Sequence, residues 1–132
     1  MKSLLLCGLS LSLVVLLHTG CTTKVAVNSP VESTAIYRWG TLTGKVPGDL
    51  SRTFRATNVA LDELGYFRTA QVREAKYNEV YARAIKDFEV KVRIEPIEPG
   101  ISIVAISYGS WGDLAESQRI FDKINEVLPR IR

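Results

Sequence analysis

The sequence predicts an α+β fold, a two-layer sandwich in which a mostly antiparallel sheet of about four strands carries two helices on one face. Leu50–Leu64 and Leu114–Leu128 place apolar residues at spacings of three and four, the helical period. Phe88–Glu95 instead alternates strictly between apolar and charged residues, the period of a strand with one buried face. In chain order the patterns read β-α-β-β-β-α, and one sheet covered on one side by both helices is the simplest arrangement that buries both apolar stripes.

Ala35–Thr43 reads as the first strand, with Tyr37, Trp39, Thr41 and Thr43 on one side. A turn at Lys45–Gly48 follows, and Asp49 is suited to cap the helix that begins at Leu50. Leu50, Phe54, Thr57, Leu61 and Leu64 form its core stripe, and Gly65 stands where a left-handed glycine would end it. Tyr66–Glu74 is expected to be a short irregular strand. Tyr77–Ile85 sets Tyr77, Glu79, Tyr81 and Arg83 opposite Val80, Ala82 and Ala84, and Lys86-Asp87 joins it to Phe88–Glu95 as a hairpin. After Pro96, Pro99 and Gly100, both sides of Ile101–Gly109 are apolar, as expected of a central strand. Asp113 with Glu116 three residues on has the logic of a capping box. Leu114, Ser117, Ile120, Phe121, Ile124, Val127 and Leu128 supply the apolar side of the second helix, which Pro129 closes.

Ahead of this domain lies a segment of different character. Lys2 is followed by Leu4–Leu17, 14 residues without a charge. A spanning helix needs about 20 apolar residues, so the run is expected to be the core of a signal peptide. It ends in His18-Thr19-Gly20-Cys21. Small residues directly before a cysteine resemble the bacterial lipobox, with His18 where an aliphatic residue is usual. The resemblance implies cleavage before Cys21 and lipidation of its thiol. The expected organisation is therefore a lipoprotein signal peptide at 1–20, a lipidated cysteine and flexible tether at 21–34, and a single α/β domain at 35–132. Thr22, rather than Asp, after the cysteine resembles lipoproteins sent to the outer membrane, which favours its periplasmic face in a Gram-negative cell.

Removal of the signal changes the chemistry available. The full chain of 132 residues has 17 basic and 14 acidic side chains, two cysteines and one histidine. The mature chain keeps 112 residues, 16 basic and 14 acidic side chains, Cys21 and no histidine, because Lys2, Cys7 and His18 leave with the signal. An internal disulfide, a Cys/His zinc site, a Cys-His pair and a Ser-His-Asp triad each need side chains that this domain lacks. No glycine-rich phosphate loop is present, and no cofactor is expected. A net charge near zero gives no reason to expect nucleic acid as a partner.

Several short patterns carry a wider resemblance: Tyr37-x-x-Gly40-x-Leu42, Ala60-Leu61-x-x-Leu64-Gly65, Val90-x-Val92 and Gly109-x-Trp111-Gly112-Asp113. With them the chain resembles a family of small bacterial lipoproteins known only as a domain of unknown function. The family implies an envelope lipoprotein with an α/β domain and implies no reaction.

The candidate interaction face is aromatic. Tyr37, Trp39, Tyr77, Tyr81 and Tyr108 are expected to share the sheet face opposite the helices, an amphipathic platform for a protein partner or a second copy. The expected function is non-enzymatic: a module held to the membrane by the lipid on Cys21 that binds another envelope component. The alternative is a small-ligand or glycan binder, which requires a concave pocket between sheet and helices.

Overall fold

The computed structural model describes residues 21–132. The segment read as a signal peptide, 1–20, lies outside the described residues. The strands are β1 (Thr23–Ala26), β2 (Thr34–Arg38), β3 (Thr41–Val46), β4 (Phe67–Arg73), β5 (Asn78–Arg83), β6 (Glu89–Glu98) and β7 (Ile101–Tyr108). They form one antiparallel sheet in the order β1-β2-β3-β7-β6-β5-β4, with β7 near the middle as its two apolar sides predict. Helix α1 (Leu50–Glu63) follows β3, and α2 (Leu114–Val127) follows β7.

The fold class is α+β with two helices, but the sheet has seven strands where about four were expected. Two local causes account for the difference. The predicted strand 35–43 is broken by Trp39-Gly40, which sit at φ 52° and 77° and join the paired residues Arg38 and Thr41. Positive φ at both central residues makes the tight turn that matches strand twist. The expected flexible tether, in turn, contains the edge strand β1, which pairs Thr23 with Tyr37 and Val25 with Ala35. Val25 and Val27 are buried, so a short alternating pattern within a polar stretch is enough to order it. The irregular segment after α1 is the seven-residue β4, with its register shifted between Arg68 and Ala70 by a bulge.

Both helices start and stop as their sequences dictate. The Asp49 carboxylate accepts from the Arg52 N–H at 2.7 Å, and that of Asp113 from the Glu116 N–H at 3.0 Å. At the end of α1, Gly65 at φ 80° lets its N–H reach the Asp62 carbonyl and the Tyr66 N–H reach that of Leu61, satisfying two orphan acceptors. Glu116 departs from the capping box: its side chain accepts from the Tyr66 hydroxyl at 2.8 Å, tying α2 to the chain leaving α1.

The core lies between the helices and one sheet face. α1 packs on β4, β5 and β6, α2 packs on β3 and β7, and the helices touch each other. Leu42, Val80, Val90, Val92, Ile94, Val104 and Ile106 from the sheet meet Ala60, Leu61, Ile120, Phe121 and Ile124 from the helices, all without exposed surface. Each such large aliphatic or aromatic side chain contributes about 1.5–3 kcal/mol by leaving water. Gly44 is part of this fit. A Cβ there would stand 2.6 Å from the Phe121 ring, so the glycine makes the hollow in β3 that receives α2.

Candidate functional site

The second face of the sheet is not covered by either helix. Pairing registers place Lys24, Ile36, Thr43, Ala105, Arg93 and Glu79 in one row across it, and Arg38, Thr41, Ser107, Lys91 and Tyr81 in the next. The half on β1, β2, β3 and β7 carries half-exposed Ile36 and a 2.8 Å hydrogen bond between the Thr41 and Ser107 hydroxyls, with Lys24 and Arg38 on its β1–β2 side. On β5 and β6 the other half is charged and aromatic.

Glu79 is the hub of that half. It is almost fully buried beneath its neighbours, receiving the Tyr81 hydroxyl at 2.8 Å, Arg93 at 2.8 Å and the Lys91 ammonium at 3.3 Å. Arg93 reaches Glu95 as well, and its guanidinium lies 3.8 Å from the centre of the Tyr77 ring. Burial pushes the Glu79 carboxyl up, but hydrogen bonds from Tyr81, Arg93 and Lys91 outweigh it and hold the group below its ordinary value. Tyr81 is raised, first by its bond to the Glu79 carboxylate and then by burial. A carboxylate engaged by three donors is held ionised and fixed.

The five predicted aromatics do not share this face. Tyr77 and Tyr81 are on it, one stacked beneath Arg93 and the other bonded to Glu79. Tyr37 and Tyr108 belong to the helix side: Tyr37 pairs with wholly buried Leu42, while the Tyr108 ring lies 6.3 Å from Tyr66 and 5.8 Å from Phe88. Trp39 is on neither face, because it forms the β2–β3 turn. The expectation of one platform of five is corrected to a pair of tyrosines. The cause is the turn at 39–40, together with the helices covering the Val104–Ile106–Tyr108 side of β7.

A second set of exposed side chains was not anticipated. At one end of the sheet, where β2, β5 and β7 finish and β3, β4 and β6 begin, stand Trp39 (81% exposed), Trp111 (94%), Ile85 (81%), Phe67 (74%) and Phe88 (46%). These are five of the eight large hydrophobics exposed among the described residues. The two tryptophan-bearing turns are locked together. A Cβ on Gly112 would lie 2.3 Å from the Gly40 Cα and 2.5 Å from the Tyr37 hydroxyl, so only glycines allow their backbones to meet. Sequence reading placed Phe88 in the core row of its strand and Trp111 in a turn. The signal that was available is the recurrence of large apolar residues at or beside turns, where burial is not required.

Cys21 is exposed, with a free thiol, two residues before β1. Because Thr23 pairs with Tyr37, Cys21 lies at the same end of the sheet as Trp39. Among the described residues no helix is long and apolar enough to cross a membrane. The layer between helices and sheet is filled by side chains of the core.

No curated protein matches the sequence. The strand rows, the glycine-locked turns and both helix caps fall within a stretch, residues 2–127, that matches a family described as Protein of unknown function (DUF3568). Since the match takes in nearly the whole chain, the protein belongs to the DUF3568 family.

Proposed function

We propose that this is a lipid-anchored cell-envelope protein, attached through Cys21, whose open sheet face binds another envelope protein or a second copy of itself and catalyses no reaction. In a Gram-negative cell its place is the periplasmic face of the outer membrane. The observation that carries the proposal is the uncovered face, with Glu79, Lys91, Arg93, Tyr77 and Tyr81 already held in one arrangement. Side chains fixed before binding lose little entropy when a partner arrives, and tyrosine and arginine are the types that dominate binding energy at interfaces. A small-ligand role has less support, because the space between sheet and helices is occupied by the core.

Photo-crosslinking in intact cells tests this reading. A photoreactive residue is placed on the open face at Thr43 or Ala105 of the full chain, and as controls at exposed Arg55 on α1 or Ala115 on α2. Adducts confined to the open-face positions are expected. Equal adducts from both sides, or none from either, contradict it.

A further inference from the structure

We propose that the end of the sheet bearing Trp39 and Trp111 seats in the headgroup region of the membrane that holds Cys21, so that the domain is bound to the bilayer by protein contacts as well as by lipid. The proposal rests on the anchoring of Cys21. It is carried by the position of the anchor and by the composition of the surface beside it.

The link between anchor and domain is short. Only Thr22 separates Cys21 from β1, and two extended residues span about 7 Å, so a bilayer holding Cys21 adjoins the end of β1. That end carries the Trp39 turn, through the pairing of Thr23 with Tyr37, and the Trp111 turn is locked against it through Gly40 and Gly112. The β5–β6 loop continues the surface, because the Phe88 ring lies against Gly109 and the Gly109 N–H bonds to the Glu89 carbonyl. Exposed Arg38 and Lys86 flank the apolar side chains, the carboxylates of Asp87 and Glu89, in the same loop and at the start of β6, are paired with Arg83, and the Arg38 guanidinium lies 5.9 Å from the centre of the Trp39 ring. Tryptophan beside arginine or lysine is the composition that favours a membrane–water boundary, where indole is half dissolved and cations meet anionic lipid.

Trp39 adds an independent reason. The β2–β3 turn sets position 39 at φ 52°, where a bulky side chain is an outlier, and 81% of this indole is in water, so neither the turn nor packing within the domain accounts for a tryptophan there. A surface contact outside the domain does.

The chain has two tryptophans, and both stand on this end, so their fluorescence reports the proposal directly. The full-length protein is extracted from membranes, its mass is checked for the acyl group on Cys21, and it is reconstituted in vesicles of phosphatidylglycerol and phosphatidylcholine. In one set the phosphatidylcholine is brominated near the headgroup end of its acyl chains. Variants Trp39→Ser and Trp111→Ser leave one reporter each. Emission shifted to the blue and roughly halved by bromine in both variants is expected for indoles at the boundary. Acylated, vesicle-bound protein whose emission is that of water-exposed indole and is untouched by bromine overturns the proposal. A blue shift that depends on protein density rather than on bromine assigns this end to a second copy and also overturns it. Absence of the acyl group overturns the anchor instead, and this proposal falls with it.

Discussion

Replacing Trp39 with Asn is expected to stabilise the domain, although it removes the larger side chain. Trp39 occupies the left-handed region, which costs a residue with a β-carbon about 1–2 kcal/mol. Asparagine bears less of this cost because its short amide bonds locally, which is why it is favoured in two-residue hairpin turns. Little is lost in exchange. The ring is 81% exposed, and its contact with Arg38 at 5.9 Å is worth about 0.5 kcal/mol at a solvated site. The balance is a gain of about 0.5–1 kcal/mol, which at the urea sensitivity of a domain of this size raises the unfolding midpoint by roughly 0.4–0.8 M. Far-UV circular dichroism is the appropriate probe, since the substitution removes a fluorophore. Trp111→Ser provides the comparison: Trp111 is almost fully exposed without a positive φ, and its loss should change stability by no more than about 0.5 kcal/mol. A midpoint lowered by Trp39→Asn would refute the account of Trp39 as a strained residue whose contacts lie outside the domain.

Two further predictions concern how the helices are held. Gly44→Ala places a methyl group against Phe121 and should cost about 1–3 kcal/mol by overpacking, while Phe121→Leu in the same chain relieves it, giving a coupling of at least about 1 kcal/mol in a double-mutant cycle; additive effects would show that α2 does not seat on Gly44. Glu63 is held from its ordinary 4.5 down to about 2, first by the hydrogen bonds of Arg130 and then by those of Lys123. A lowered folded value means that its stabilisation is complete above pH 4.5 and fades as the pH falls towards 2. The melting-temperature difference between the natural chain and Glu63→Gln should therefore vanish across that interval, and a difference independent of pH would contradict the pairing.

The helices were legible because each of their signals is local: Asp49, Gly65 and Asp113 sit at the boundaries, and the stripes between them have one period. Strand number was not, for reasons visible at single residues. A Trp-Gly pair is a poor advertisement for a turn at positive φ, and Val25 with Val27 is too short a pattern to outweigh its polar surroundings. The placing of Tyr77 and Tyr81 on one face followed from the alternation that runs from Tyr77 into β5. Tyr37 is displaced by the turn at 39–40, which pairs it with Leu42 and sets it on the face opposite Thr41 and Thr43, and Tyr108 by a strand, β7, that is apolar on both sides and does not declare which side the helices cover. The tryptophan-bearing end leaves only a faint mark in the sequence, large apolar residues at or beside turns. It is assembled from two turns, a loop and a strand start that meet only when the sheet is complete.

The most direct measurement of the central claim, attachment through Cys21, is the intact mass of the protein extracted from cell membranes. A chain that begins at Cys21 and carries a diacylglyceryl group on its thiol is predicted, and Cys21→Ser should leave the uncleaved precursor in its place. A mature chain with an unmodified thiol, or a Cys21→Ser variant processed to the same size, would contradict it.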